Sequence, residues 1–479
     1  MYFSLIFSIL YIITIAFIIY FVIIDNGDPI KTISWILVLL LFPILGIILY
    51  FFFGYNLRRN KFLNRKEVID NISTSYLNKG VNLKNYEKGY LEIDASDHHT
   101  IRLLSNNSYS NITINNKIDI LVNGENIYDS IIENLSKAKK HIHLDFFRIQ
   151  PGRIWDRILK ILVEKAKSGV DIKIIYDDVG SWKIKGSYAR ELRKQGIDMQ
   201  PFMPVVLHRF ANKINHRNHR KIIIIDGEIA YTGGFNIADY YVDGIKNIGK
   251  WHDIAIKIQG EAVHYIQKVF LTDWYFVKRQ IVNIKDDFFP VLNNFNANIP
   301  VQIVKSGPDS DWSTIMQSYF LAITSTKKYL YLSTPYFLPN ESILTALKTV
   351  ALSGRTVKLL IPYKGDSKLV NLATQSYVNE LLEAGIEVYL FNDGFNHGKF
   401  IIVDGRMCSI GTANIDIRSF DHDFEVNAFI YDNNIAKQME KIFLNCTETS
   451  YKLTLESWNQ RTKFNKFLNS FARIMSPMF

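Results

Sequence analysis

The sequence predicts an α/β protein in which one sandwich-like domain plan occurs twice with pseudo-twofold symmetry, preceded by a transmembrane helical hairpin. Three observations carry this prediction. The first 55 residues hold two long runs without charge. Three β-branched blocks recur in the same order in two halves of the remaining chain. Amphipathic stretches of helical period separate those blocks, and strands alternating with helices argue for α/β layering.

Tyr2 to Ile24 and Thr32 to Tyr55 are the two apolar runs. At about 1.5 Å per residue each reaches roughly 35 Å, enough for a bilayer core of about 30 Å. Asp25-Asn-Gly-Asp-Pro-Ile-Lys31 between them reads as a tight polar turn. Arg58, Arg59, Lys61, Arg65 and Lys66 follow the second run. By the positive-inside rule that end is cytoplasmic, so a multi-pass cell-membrane anchor with a cytoplasmic body is expected. Tyr20, Phe21 and Tyr50 to Phe53 would lie near the interfaces. A cleaved signal peptide fits poorly, because the first run is too long and lacks a basic start and a small-residue cleavage site.

Residues 1–55 are thus assigned to two transmembrane helices and the polar, Asn-rich 56–115 to a juxtamembrane segment. The first domain takes 116–290 and the second 291–479, with Asp286 to Pro300 reading as the linker. The repeat sets the halves. Lys140-His-Ile-His-Leu-Asp-Phe-Phe147 answers to Lys328-Tyr-Leu-Tyr-Leu-Ser-Thr-Pro-Tyr-Phe337. Gly169 to Asp178 answers to Gly354 to Tyr363, and His219 to Gly227 answers to His397 to Gly405. Each block is a short β-branched run of the kind that forms a buried strand in a parallel or mixed sheet. Ile127 to Lys139, Arg157 to Ser168 and Ile343 to Ser353 are the intervening helical stretches. A duplication accounts for the order and spacing together.

Composition excludes two classes. With 48% hydrophobic and 14% aromatic residues the chain is not disordered. Two cysteines, Cys408 and Cys446, in 479 residues make no disulfide scaffold. The formal net charge is +10. Residues 1–54 carry only Asp25, Asp28 and Lys31, so the body bears +11.

The chemistry is concentrated in His219-x-Lys221-x4-Asp226, followed by Gly233-Gly234-Phe-Asn236. On an extended strand side chains alternate faces, so His219 and Lys221 point the same way, about 6.6 Å apart. That spacing suits an imidazole and an ammonium reaching one phosphate. The second copy supplies His397, Lys399, Asp404 and Gly411-Thr-Ala-Asn414. One such string beside a buried strand would read as packing. Two copies, each with Asp at the same offset and a Gly-containing turn with Asn beyond, read as function. Metal chemistry is not expected: His141 with His143, and His216 with His219, lack a Cys or acidic cluster at ligand spacing. A Gly-x4-Gly-Lys-Ser/Thr phosphate loop is also missing from the sequence.

The paired motifs resemble the phospholipase D superfamily, and the surrounding text is similar to its bacterial cardiolipin synthases. The stretches that carry this are Asn218 to Gly227, Tyr231 to Ile237 and Trp251-His-Asp253. In the second half they are Thr334 to Pro339, Gly394 to Lys399, Gly411 to Phe420 and Phe424-Glu-Val-Asn427. The resemblance covers essentially the whole chain. It implies one active site built from both motifs at the domain interface. It implies phosphatidyl transfer between two phosphatidylglycerols, giving cardiolipin and glycerol, without a cofactor or metal.

Under that resemblance His219 is the nucleophile of a phosphohistidine intermediate and His397 the general acid, although the motif's symmetry allows the reverse. Lys221, Lys399, Asn236 and Asn414 would bind the phosphate. Asp253 and Glu425, 34 and 28 residues after their histidines, would fix each imidazole's tautomer. Asp226 and Asp404 complete the catalytic motif, with local structure as their expected task. Tyr336 and Ser419 are candidate pocket residues.

The scattered basic charge suits an anionic membrane surface better than nucleic acid. Residues 461–479 carry Arg461, Lys463, Lys466 and Arg473 and no acid, with Phe464, Phe467, Leu468, Phe471 and Met475 at helical spacing. They read as a basic amphipathic helix, on the membrane or packed on the domain. The competing functions are a membrane-bound phospholipase D or nuclease with water as acceptor, and a non-catalytic membrane scaffold.

Overall fold

The computed structural model describes residues 2–25, 29–50, 90, 92–108, 110–205, 216–279, 286–292 and 297–476. The chain divides into two units, 1–64 with 205–216, and 65–204 with 217–479.

In the first unit, helices α1 (Tyr2–Asp25), α2 (Pro29–Leu41) and α3 (Pro43–Leu49) follow one another. The second apolar run is therefore not one continuous helix. Pro43 lacks an N–H and disfavours helical backbone at the residue before it; Phe42 sits at φ −135° and α3 restarts with proline in its first turn. Val22, Leu39 and Tyr50 are buried, with Trp35 edge-on to Tyr50 at 5.4 Å. Ile13, Phe17, Tyr20, Phe21, Leu37 and Leu40 face outward. Among the described residues no helix is long and apolar enough to cross a membrane; within α1 side-chain exposure is described only from Ile13. The basic cluster from Arg58 to Lys66 lies outside the described residues.

The second unit holds two sheets of one design. Strands β1 (Asn116–Val122), β2 (His141–Phe146), β3 (Asp171–Asp177) and β4 (Ile197–Phe202) come first. They are followed by β5 (Lys221–Ile225), β6 (Ile229–Gly233), β7 (Trp251–His252) and β8 (Ile254–Gly260). All but β7 form a seven-stranded sheet in the order β1-β8-β6-β5-β2-β3-β4. The second set is β9 (Val301–Ser306), β10 (Tyr329–Ser333), β11 (Phe337–Leu338), β12 (Thr356–Pro362) and β13 (Glu387–Phe391). It continues with β14 (Phe395–Asn396), β15 (Phe400–Val403), β16 (Met407–Gly411), β17 (Ile415–Asp416), β18 (Glu425–Ile430) and β19 (Tyr451–Lys452). Its main sheet runs β19-β13-β12-β10-β15-β16-β18-β9. Strand for strand the orders match, β1 to β9, β8 to β18, β6 to β16, β5 to β15, β2 to β10, β3 to β12 and β4 to β13, with β19 added at one edge.

Both sheets are mixed: β2-β3-β4 and β10-β12-β13 are parallel, while β5 and β15 run antiparallel to β2 and β10. Helices pack on the strands, so β5 (Lys-Ile-Ile-Ile-Ile) is buried along its length. Such double coverage selects continuous apolar runs rather than alternation. Each half has its own apolar core.

Two segments pack more closely than their composition suggests. The helix His98–Ser108, within the stretch read as juxtamembrane, buries Ile101 and Leu104 in the second core. Gln302 Nε2 donates to the Ile101 carbonyl at 3.2 Å. Phe288, in the presumed linker, is buried edge-on to His141 (4.9 Å) and His143 (5.0 Å).

Candidate active site

The motif strands deliver their polar residues to one end. His219 precedes β5 and Lys221 opens it; His397 precedes β15 with Lys399 between. Asp226 and Asp404 follow the same strands, so four to five residues at about 3.3 Å each separate them from the histidine end. Both take a left-handed backbone, φ +55° and +53°, before Gly227 and Gly405 at +70° and +61°. Two consecutive positive φ values are what a type I′ hairpin turn requires. Each turn closes with a bond, Glu228 N–H to Ile225 carbonyl and Arg406 N–H to Val403 carbonyl, both 3.0 Å. The Asp226 carboxylate accepts from the N–H groups of Lys139, Lys140 and His141 at 2.7–2.9 Å. Asp404 accepts from those of Lys327, Lys328 and Tyr329 at 2.7–2.9 Å. These carboxylates hold the turn against the entry of β2 or β10, remote from the histidines.

The two halves meet at the histidines through backbone pairing. Asn218 bridges to Phe424, the His219 N–H donates to the Phe424 carbonyl at 2.9 Å, and the Phe424 N–H donates to Arg217 at 2.9 Å. Symmetrically, β14 pairs in parallel with β7, and the His397 N–H donates to the His252 carbonyl at 2.7 Å. Each pairing brings up the next residue of the opposite half, a carboxylate. His219 Nδ1 lies 2.8 Å from Glu425 Oε1, and His397 Nδ1 lies 2.6 Å from Asp253 Oδ2. The carboxylates are therefore exchanged between halves; neither histidine uses the one that follows it in its own half. Both rings spend Nδ1 on the carboxylate, leaving Nε2 as the nitrogen for substrate.

The exchanged carboxylates are held differently. Asp253 Oδ1 accepts the Ile254 N–H at 2.8 Å, while the Gly234 N–H donates to the Ile254 carbonyl at 3.2 Å. A Cβ at Gly234 would fall on this carboxylate. In the second half Thr412 stands at that position, and its hydroxyl donates to Glu425 Oε2. Gly against Asp and Thr against Glu are matched pairs: the side with the hydroxyl carries the longer acid. Thr412 Oγ1 also accepts the Val426 N–H at 2.9 Å.

Lys221 Nζ donates to the His219 carbonyl at 2.6 Å and Lys399 Nζ to the His397 carbonyl at 2.7 Å. Lys399 Nζ is also 3.0 Å, and the Tyr241 hydroxyl 3.3 Å, from His397 Nδ1. Asn236 and Asn414 are buried, and among the described residues neither amide oxygen has a partner. Ser419 Oγ accepts the Asn414 N–H at 3.1 Å, and the Tyr336 hydroxyl donates to Asp366 at 2.9 Å.

Electrostatics follow from burial. Charge is costly in this dry interior, so Asp253 and Glu425 are each pushed up to about 7. Burial lowers Lys221 to about 7 and Lys399 to about 8. Both imidazoles fall well below 6.5, first through burial and then through the nearby ammoniums. The arrangement is two neutral imidazoles in carboxylate-fixed tautomers beside two ammoniums that an anion would keep charged. It is suited to attack on, and release from, a phosphodiester.

A family model described as cardiolipin synthase, PLD-like domain, matches residues 131–274 and 319–447, one segment in each half. The chain belongs to the cardiolipin synthase family of phospholipase D-like proteins. A second model, phospholipase D-nuclease N-terminal, matches residues 9–54. The cardiolipin synthase of Geobacillus sp. (strain WCH70) is 38% identical, covering 98% of this chain and 93% of that protein. Cardiolipin synthase 2 of Bacillus anthracis is 37% identical over 95% of this chain and 88% of its own. The one from Oceanobacillus iheyensis is 36% identical over 99% of both. Among solved structures, a phosphatidylserine synthase from Haemophilus influenzae shares the fold, with TM-score 0.59 and 17% identity over 80% of this chain and 99% of that one.

Beyond the motif, the family site of this chain includes residues that sequence reading did not select. Arg220 donates to the Glu425 carbonyl at 3.3 Å and pairs with buried Asp273. Asn218 donates to Asp145 at 2.5 Å. The counterpart of Asp145 is Ser333, bonded to Asn396 at 2.9 Å; the Arg220–Asp273 pair makes the support behind His219 ionic, whereas the Ser333–Asn396 pair behind His397 is neutral. Tyr241 and Thr412 complete the set; only Thr412 had a signal, as the departure of Gly-Thr from Gly-Gly.

Proposed function

We propose that this chain transfers a phosphatidyl group from one phosphatidylglycerol to another, forming cardiolipin and glycerol. The observation that carries the reading is the pair of His–carboxylate couples exchanged between halves, flanked by Lys221 and Lys399. His219 Nε2 attacks phosphorus, and the bond from phosphorus to the glycerol oxygen breaks. The bound anionic phosphate offsets the ammoniums and favours protonation of His397, which then gives its Nε2 proton to that oxygen as glycerol departs. A hydroxyl of the second phosphatidylglycerol then attacks the phosphohistidine; His397 takes its proton, and the phosphorus–nitrogen bond breaks to return His219. Glu425 and Asp253 hold the Nδ1 protons and steady the imidazolium in turn. Lys221, Lys399, Asn236 and Asn414 hold the non-bridging oxygens, whose charge grows in the transition state.

The N-terminal unit supports a membrane anchor with the body on the cytoplasmic side. The 24-residue α1 holds one charge, the terminal Asp25, and among the described residues Ile13, Phe17, Phe21, Ile23, Ile24, Ile33, Leu37 and Leu40 are apolar and exposed, as suits contact with lipid. The test is full-length enzyme in vesicles of phosphatidylglycerol, with lipid products resolved by mass spectrometry. Cardiolipin with equimolar glycerol is expected, and none from His219→Ala. Phosphatidic acid as the main product would instead make water the acceptor and the chain a phospholipase.

A further inference from the structure

The helix Lys463–Ile474 packs through Asn469 and Ala472, which are buried, and its Arg473 pairs with Glu380 at 2.8 Å over the Tyr377 ring. Its opposite side is apolar and uncovered: Phe464 is 66% exposed, Phe467 62%, Phe471 53% and Ile474 77%. At about 100° per residue these four side chains fall within an arc of about 80°. Lys463, exposed, lies about 20° beyond the Ile474 edge of that arc, and Lys466, also exposed, lies between that edge and the buried Asn469. From Arg461 to the end the sequence holds no acid. The tail therefore packs on its domain and still presents a second, apolar face.

We propose that this helix docks on an anionic bilayer surface, as a membrane contact additional to the N-terminal unit. Two arguments select lipid. An apolar stripe beside lysines, on a helix without an acid of its own, matches an interface of acyl chains under anionic headgroups. A strip on a helix about 18 Å long is also far smaller than the roughly 800 Å² per partner that a stable protein pair buries. The inference rests on the lipid reading above and places the body's own contact with the bilayer at Phe464, Phe467, Phe471 and Ile474.

The test uses full-length protein reconstituted in vesicles, with Phe467→Cys carrying an environment-sensitive fluorophore in a Cys446→Ser background; Cys408 is buried. Arg190→Cys, labelled in the same way on an exposed surface, is the control. Brominated lipid should quench at least about half of the emission at 467 in phosphatidylglycerol-containing vesicles. It should quench far less in phosphatidylcholine alone, and little at 190 in either. Phe464→Asp combined with Phe471→Asp should remove the quenching at 467. Absence of quenching at 467 in vesicles where the enzyme forms cardiolipin overturns the inference and leaves the function intact. Concentration-dependent energy transfer between labelled copies without quenching overturns it in favour of self-association. Failure of the unsubstituted enzyme to form cardiolipin counts against the proposed function alone, because the quenching is read independently.

Discussion

Replacing the two histidine-orienting acids by their amides should have very unequal effects, and the inequality follows from what holds each acid. In Asp253→Asn, the position of Oδ1 faces the N–H of Ile254 at 2.8 Å and must remain an oxygen. The new NH₂ is then forced onto His397 Nδ1, so the ring must present a lone pair there and carry its proton on Nε2. In neutral form it can no longer accept a proton from the incoming alcohol at that nitrogen. The same tautomer error in Ser-His-Asp enzymes costs about 10⁴ in kcat. In Glu425→Gln, the far position faces the Thr412 hydroxyl. A hydroxyl can accept as well as donate, so the NH₂ can turn to Thr412 and leave oxygen on His219. The tautomer survives and only the charge is lost. The gap between charged and neutral hydrogen bonds is about 1.5 kcal/mol, or roughly tenfold in rate. Cardiolipin formation by full-length variants in phosphatidylglycerol vesicles, at matched folded enzyme, measures both losses. Equal losses, or a greater loss for Glu425→Gln, would refute the argument. Adding Thr412→Val to Glu425→Gln should deepen its defect.

Other consequences follow from the same geometry. Because Lys221 and Lys399 carry charge only below about 7 and 8 in the free enzyme, kcat/KM should fall by about tenfold per pH unit between those values and by up to about a hundredfold per unit above them, through KM. A kcat/KM still climbing at higher pH would show that these ammoniums do not hold the phosphate. Gly234→Ala should cut kcat by about tenfold or more by displacing Asp253, while Gly186→Ala, whose Cβ meets nothing within 4 Å, should leave kinetics unchanged. Asp404→Ala should lower stability by about 1–3 kcal/mol through three lost N–H partners. Thermal unfolding should register that loss, with kcat of the folded fraction preserved. Burial lowers His141 to about 4, so the unfolded chain binds the extra proton between pH 6.5 and 4. Stability should therefore decline as pH falls through that window, by up to about 3 kcal/mol from this site. His141→Phe should flatten that part of a melting-temperature profile.

The duplication was legible because buried strands advertise themselves as β-branched runs and the polar string at their end repeats with fixed spacing. The six residues proposed to meet the phosphate were legible for the same reason: His219, Lys221 and Asn236 lie in one local stretch, as do His397, Lys399 and Asn414. The exchange of Asp253 and Glu425 was not, since a carboxylate about 30 residues downstream in either half satisfies the pattern equally. Only the bridges Asn218–Phe424 and β7–β14 decide between them, and these join residues 144 to 206 apart. Nor was the support network behind His219 visible. Asp145, Arg220 and Asp273 lie in apolar text far apart in sequence and become one buried group only when β2, β5 and the helix Ala262–Lys278 stack. The break at Pro43 was readable from the residue itself, but apolar length alone hid it.

The interleaved pairing also constrains how the two halves can diverge. A substitution at Asp253 is felt by the histidine of the other half, and one at Glu425 by His219, so selection on either motif acts on text more than a hundred residues away. Half-molecules exchanged between relatives would have to preserve two interlocking matches, the Gly–Asp pair and the Thr–Glu pair. Beyond those matches each half is free to specialise, and the ionic support beneath one imidazole and the neutral support beneath the other record that specialisation in a site whose outline is still symmetric.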